Sequence, residues 1–228
     1  MKKLKQLFIQ YRHGIPLILY GIIYISWFAH LEKTVTRGYH VIHMAVDDYI
    51  PFLEGFIIPY VLWFFYVAAV VMFFFFKNKT DYYRACTFLF TGMTVFLIVS
   101  TLWPNGHHLR PAVLPRDNIF SDMVSMLWKA DTPTNLWPSI HVYNSLGAHF
   151  AIIRSREFEN KRGLRLCSLI LCCSIILSTV FLKQHSMFDV LTAFAMAAVM
   201  YLVVYRYDLV VAVRTIRQSR KKAKPQIS

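Results

Sequence analysis

The sequence predicts an all-α integral membrane protein, a bundle of six transmembrane helices. Three observations carry that expectation. Of the 228 residues, 57% are hydrophobic and 16% aromatic, and mean hydropathy is +0.44, whereas soluble domains average about 45–50% apolar residues. The apolar residues fall in blocks of the ~17–25 residues that cross a bilayer as helix, rather than in amphipathic stripes. Most of the basic residues, 19 of 25, sit on one side of the expected membrane.

The spans are expected at 15–31, 52–76, 85–103, 139–154, 166–183 and 186–205, within a single domain of residues 1–228. With a cytoplasmic N-terminus, the inner segments are 1–14, 77–84, 154–165 and 206–228, and they hold 19 of the 25 Lys and Arg residues. The other side keeps Lys33, Arg37, Arg110, Arg116, Lys129 and Lys183, and 8 of the 12 acidic residues. That is the positive-inside pattern. It assigns the net charge of +13 to topology and not to a nucleic-acid partner. The expected setting is a cell membrane, multi-pass, with both termini cytoplasmic.

The first span follows "MKKLKQLFIQYRHG" and ends at "FAHLEK" without a small-residue cleavage site, so it reads as a retained anchor. The second and third spans flank a short charged turn. Two long outer connections follow the first and third spans, the first containing "HMAVDDYIPF" and the second running from Pro104 to Pro138. The fourth span, "SIHVYNSLGAHFAII", is the most polar, with His141, Asn144, Ser145 and His149 around Gly147 and Ala148. Such residues face neighbouring helices or a wet cavity, which places this helix centrally. A polar packing seam without function explains Gly147 and Ala148 equally well, but not His141. Cys86, Cys167, Cys172 and Cys173 lie in apolar spans without metal-site spacing, and read as free thiols. The end of the chain, from about 206 to 228, is a basic tail suited to anionic headgroups.

Three polar constellations fall at the outer ends of spans three to six. Arg110 precedes Pro111, which biases it to extended backbone; alone it reads equally as a solvated loop arginine. In "LWPSIHVYN", Pro138 suits a first helical turn, leaving the amides of Ser139, Ile140 and His141 free as an anion cradle. A plain capped helix start would read the same. His185 and Asp189 are spaced i, i+4 on one helical face. The carboxylate can take the imidazole Nδ1–H and leave Nε2 as a lone pair, or the two groups merely satisfy each other at an interface.

The order Arg110-Pro111, then "PSIH", then "STVFLKQHSMFD" resembles the type-2 phosphatidic acid phosphatase superfamily over about residues 103–190. The loop "DDYIPFLEGFIIPY" looks, more loosely, like inositol phosphorylceramide synthases. The resemblance implies a membrane lipid-phosphate phosphatase working through a phosphohistidine at the outer face. It implies His185 as nucleophile, Asp189 as its orienting partner and His141 as general acid and base. Arg110, Ser139 and the amides of residues 139–141 would hold the phosphoryl oxygens. The alternatives are a lipid phosphotransferase with an alcohol acceptor and a lipid-binding pseudoenzyme. A haem protein is the reading from another class. No cofactor is expected, and one carboxylate is too few hard ligands for a magnesium centre. The expected partners are a lipid phosphate and membrane lipids; the oligomeric state is not legible.

Two family cations are missing: the usual lysine is Trp103 and the usual arginine is Thr179. Lys183, four residues after Thr179, is expected to share its face on a continuing fifth helix and to supply phosphate contact. His107, His108, Arg116 and Lys129 are further candidates for the missing lysine.

Overall fold

In the computed structural model, residue 6, residues 9–212 and residue 215 are described. Beyond 212, the expected basic tail lies outside the described residues except for Thr215. The helices are α1 (Ile15–Thr34), α2 (Ile57–Lys77), α3 (Lys79–Leu102), α4 (Ile119–Ala130), α5 (Ile140–Arg154), α6 (Arg162–Phe181) and α7 (Met187–Tyr201). A π-helical turn, Leu202–Arg206, continues α7. Two short strands, β1 (His40–Val41) and β2 (Asn105–Gly106), pair in parallel.

Five helices are long and apolar enough to cross a membrane: Ile9–Thr34, Glu54–Lys77, Lys79–Leu102, Arg162–Phe181 and Met187–Arg206. The all-α membrane-type bundle expected from composition is therefore present, with several spans fit for a multi-pass protein. The expected fourth span is a helix, but α5 has only 15 residues, about 22 Å at 1.5 Å per residue. A bilayer core is about 30 Å thick. Six spanning helices are thus more than length and composition establish. α5 instead forms the axis of the bundle, packed by α2, α3, α6 and α7. α1 lies at the periphery against α3, with Ile18, Ile22 and Ile25 exposed on its surface.

Small residues let α5 approach this closely. A Cβ on Gly92 of α3 would lie 2.0 Å from the Tyr143 ring, and one on Gly147 of α5 would lie 2.6 Å from the Phe88 ring. The two glycines thus seat aromatic rings from opposite helices. The Tyr143 hydroxyl donates to the Phe88 carbonyl at 2.8 Å within this seam.

Two boundaries differ from expectation for electrostatic and capping reasons. α3 begins six residues before the expected start because its charged first turns are satisfied. Asn78 caps the helix by accepting from the amides of Thr80 and Asp81. Arg84 pairs with Asp81 at 2.9 Å and also with Asp208, and Ser155 donates to Asp81. Second, the connection read as a loop from Pro104 to Pro138 contains α4, capped by Asn118. Val124 of α4 is buried in a cluster with Ile57, Tyr60 and Leu182.

Gly92→Ala and Gly147→Ala should each lower stability by about 1–3 kcal/mol through overpacking. Thermal unfolding of the purified protein in detergent measures this; unchanged melting would contradict the close α3–α5 approach.

Candidate active site

The His185 turn is built by helix ends. α6 stops at Phe181, and Lys183 adopts a left-handed conformation (φ 53°). The Thr179 carbonyl then accepts the amides of Gln184 (2.9 Å) and His185 (3.0 Å). α7 starts at a capping box: Ser186 Oγ accepts from the Phe188 amide, and Asp189 Oδ2 accepts from the Ser186 amide at 3.1 Å. The same Oδ2 lies 3.2 Å from His185 Nδ1. A carboxylate can only accept, so Nδ1 carries the proton and Nε2 holds the lone pair. Both side chains are buried. Burial, and then the nearby Arg110 guanidinium, hold the His185 imidazole well below its ordinary pKa, so it is neutral near pH 7.

A second carboxylate braces this turn. Buried Asp47 accepts the Ser186 hydroxyl (2.5 Å), the Met187 amide (2.8 Å) and the Met44 amide (2.8 Å). It sits at the N-terminus of α7, where a negative charge is favoured. Lys183 points the same way, donating to the carbonyls of Asp47 (2.8 Å) and Ile50 (2.6 Å). Since α6 ends at Phe181, Lys183 does not continue the helical face of Thr179. The Thr179 hydroxyl is itself spent on the Ile176 carbonyl at 2.7 Å.

His141 enters from the first turn of α5. Its ring packs on Tyr60 (centroids 4.6 Å apart) and Trp63 (4.3 Å) of α2, and lies 5.7 Å from the His185 ring. Its buried Nδ1 has no protein partner. Ser139 is the helix cap, so Pro138 precedes the cap and is not in the first turn. The Ser139 hydroxyl accepts from the Val142 amide, and its own amide donates to the Asp189 carbonyl, both at 3.4 Å. Neither the Ser139 amide nor its hydroxyl is as free as the sequence suggested. In exchange, this long contact ties the start of α5 to the start of α7, which brings His141 to His185.

Arg110 approaches from the other side. Its guanidinium donates to the carbonyls of Asp131 (2.8 Å) and Trp128 (3.3 Å) and to Gln184 Oε1 (2.5 Å), and lies 5.6 Å from the Trp128 ring centroid. The Asp131 carboxyl lies near the Tyr60 hydroxyl, and burial, then Glu32, push its pKa up to about 6. Glu32 at the end of α1 holds Thr132 and Asn135. His107 donates from Nε2 to the Gln184 carbonyl (3.0 Å) and accepts the Leu109 amide on Nδ1 (3.2 Å). Burial pushes its pKa down to about 4. It is therefore a neutral strut. Arg116 is paired with Glu54 at 2.7 Å, while His108 and Lys129 are exposed.

The structure thus brings together Arg110, His141, His185 and Asp189, with Ser139 behind them and Lys183 turned to the loop. Sequence reasoning missed Asp47, Tyr60, Trp63, Asp131 and Gln184. Gln184 carried the one available signal, a polar side chain directly beside His185, but it is uncharged. The others join through long-range contacts. Around His185, Arg110 Nε, Gln184 Nε2 and Trp128 Nε1 are buried donors without a protein partner. Unpaired buried donors are costly. Asp189 Oδ1 and His141 Nδ1 are buried without a partner as well, so the site holds both spare donors and spare acceptors. Among the described residues no group of three His, Cys, Asp or Glu side chains is placed to hold a metal ion.

The His107 arrangement generates a pH effect on stability. Its folded pKa lies below its ordinary value of 6.5, so below about pH 6.5 the unfolded chain takes up the proton first. The stabilisation is present above that pH and is lost as pH falls toward 4. Melting temperature should drop over this range, and His107→Gln should remove part of the slope. An unchanged slope in that variant would contradict the buried neutral assignment.

A comparison with family models gives one match, the PAP2 superfamily, over residues 109–210. No curated protein matches the chain, and no solved structure matches it. The matched segment begins next to Arg110 and includes Ser139, His141, His185 and Asp189. The match over residues 109–210 is to the family whose motif order the sequence resembles.

Proposed function

We propose that the protein cleaves the phosphate ester of a membrane lipid through a phosphohistidine on His185. The observation that carries this reading is the buried His185–Asp189 pair, with Nε2 unprotonated and the His141 ring 5.7 Å away. Nε2 attacks phosphorus while His141, protonated once the anionic phosphate is bound beside it, gives its proton to the departing alkoxide. Asp189 stabilises the imidazolium that forms. Water, or an alcohol, then loses its proton to His141 and attacks phosphorus, breaking the N–P bond and restoring His185. Splitting one displacement into two is what a histidine nucleophile contributes, and charge stabilisation by Arg110 and the unpartnered donors does much of the rest.

With water as acceptor the enzyme is a lipid-phosphate phosphatase; with an alcohol it is a phosphotransferase. The lipid class is supported by an apolar crevice of about 380 Å³ between α1, α2 and α3, lined by Leu17, Tyr24, Phe64 and Met93 and reaching Trp63 and Asn144. Trp63 packs on His141, so an alkyl chain there would place its phosphate beside the histidines. We place the site at the outer membrane face with both termini cytoplasmic, on the strength of the positive-inside distribution. Ser139 acts by joining α5 to α7. Lys183 acts by fixing the Asp47 loop against the His185 turn, and contributes to substrate binding through that loop.

Release of diacylglycerol from a lipid phosphate, with and without added alcohol, tests the reading. His185→Ala should abolish turnover, and His141→Ala should lower kcat by about 10²–10⁴-fold. Asp189→Asn should cost about 10³–10⁴-fold, as where an aspartate fixes a histidine tautomer. Native-like turnover in His185→Ala would overturn the mechanism. Lys183→Ala should loosen the loop and lower turnover without abolishing it; full loss would make it a direct phosphate ligand.

A further inference from the structure

The end of the bundle opposite the His185 turn holds a second polar cavity. The start of α3, the end of α5 with the turn after it, and the π-helical end of α7 surround about 470 Å³ there. Its wall carries four guanidiniums, those of Arg84, Arg154, Arg156 and Arg206, and two carboxylates, those of Asp81 and Asp208. Two positive charges are therefore in excess. None of these groups takes part in the chemistry at His185.

Both carboxylates are already committed. Arg84 donates to Asp81 from Nη1 at 2.9 Å, and to Asp208 from Nε at 3.1 Å and from Nη2. Ser155 donates to Asp81 at 2.8 Å. Arg154 donates to the Tyr205 carbonyl at 3.3 Å, so a guanidinium at the end of α5 caps the end of α7. That contact, and the preference of helix C-termini for cations, account for Arg154. They do not account for Arg156, which lies past α5 in a short 3₁₀ turn. Among the described residues, neither Arg156 nor Arg206 has a carboxylate within ion-pair distance.

Two further features point to a ligand. Tyr205 lines the cavity while only 8% exposed, and its buried hydroxyl has no protein partner. That hydroxyl lies within electrostatic reach of Asp81, Arg84 and Arg154, which places it toward the cavity wall. α7 also changes to a π-helical turn here, the Tyr207 amide donating to the Leu202 carbonyl at 2.9 Å. Such turns frequently mark functional sites, and this one puts Tyr205 and Arg206 in the wall. The N-terminus of α3 adds the positive end of a helix dipole, since Asn78 and Thr80 also line the space. Guanidiniums bind phosphate oxygens bidentately, and a phosphate with two negative charges balances the two without a carboxylate.

We propose that this cavity is a second binding site, taking a phosphate group with two negative charges between Arg156 and Arg206. It does not depend on the phosphohistidine reading. The positive-inside distribution puts it on the cytoplasmic side. A lipid headgroup and a soluble phosphomonoester present the same chemistry there. Either ligand would join α3, α5 and α7 at the ends opposite those that present His141 and His185.

The test uses the full chain carrying His185→Ala, so that turnover at His185 does not interfere. Two probes with the same headgroup are titrated separately: glycerol 3-phosphate in detergent, and dioleoylphosphatidic acid in dioleoylphosphatidylcholine nanodiscs. Affinity is read from ligand-induced thermal stabilisation. Arg156→Gln with Arg206→Gln should weaken binding of at least one probe by at least about tenfold, as loss of charge-assisted bonds does. Lys77→Gln with Arg162→Gln removes the same charge from exposed side chains at the same end but outside the cavity. That control should leave affinity within about twofold, because exposed charges are screened. Weakening for the lipid alone assigns the site to a headgroup, and weakening for glycerol 3-phosphate assigns it to a soluble source as well. Unchanged affinity for both probes in the cavity variant overturns the proposal, and so does an equal loss in the control. Should the double variant not fold, Arg156→Gln alone should weaken binding at least about threefold, and no change there overturns it.

Discussion

One carboxylate oxygen holds the site together. Asp189 Oδ2 accepts both the Ser186 amide, which starts α7, and the His185 Nδ1–H, which fixes the imidazole. Helix initiation and histidine orientation are therefore one event. The backbone carbonyl of the same residue receives the Ser139 amide, which starts α5. Two helix N-termini and two histidines are thus registered by Asp189 alone. Asp47 adds a second brace from the loop after α1, through Ser186 Oγ and the Met187 amide. A buried carboxylate needs several donors to be tolerated, and each donor that satisfies it here belongs to an element carrying the site.

The rest of the bundle serves that registration. α5 is too short to be an ordinary lipid-facing span and is surrounded by α2, α3, α6 and α7. Its burial keeps His141 in an aromatic pocket of Tyr60 and Trp63, where water is scarce and electrostatic effects are strong. The glycine–aromatic seam with α3 sets the depth of that pocket. At the opposite end, Arg84, Asp81, Asp208 and Ser155 join α3 to the end of α7 and the turn after α5. This network fixes the far ends of the helices that present the histidines.

Much of this was legible in the sequence, for physical reasons. Blocks of apolar residues announce helices because every backbone polar group in a membrane must be satisfied internally. The His185–Asp189 spacing was readable because i, i+4 is a local relation. What failed was whatever depends on how a helix ends. The i, i+4 spacing from Thr179 predicts Lys183 on a continuing helix, but the chain turns left-handed there and sends the ammonium to loop carbonyls. Pro138 suits a first helical turn by its chemistry, but Ser139 is the cap. Residues that meet across long sequence separations, such as Asp47 with Ser186 or Arg110 with Gln184, leave no periodic trace. α4 was hidden inside a connection whose prolines and charges read as loop.

The account stands or falls on the nucleophile. Rapid quenching of the purified protein with ³²P-labelled lipid phosphate tests it most directly. The account predicts a base-stable, acid-labile label whose peptide contains His185, absent from His185→Ala and accumulating in His141→Ala with an activated leaving group. Turnover without any such adduct, or a label mapped to another residue, would contradict it.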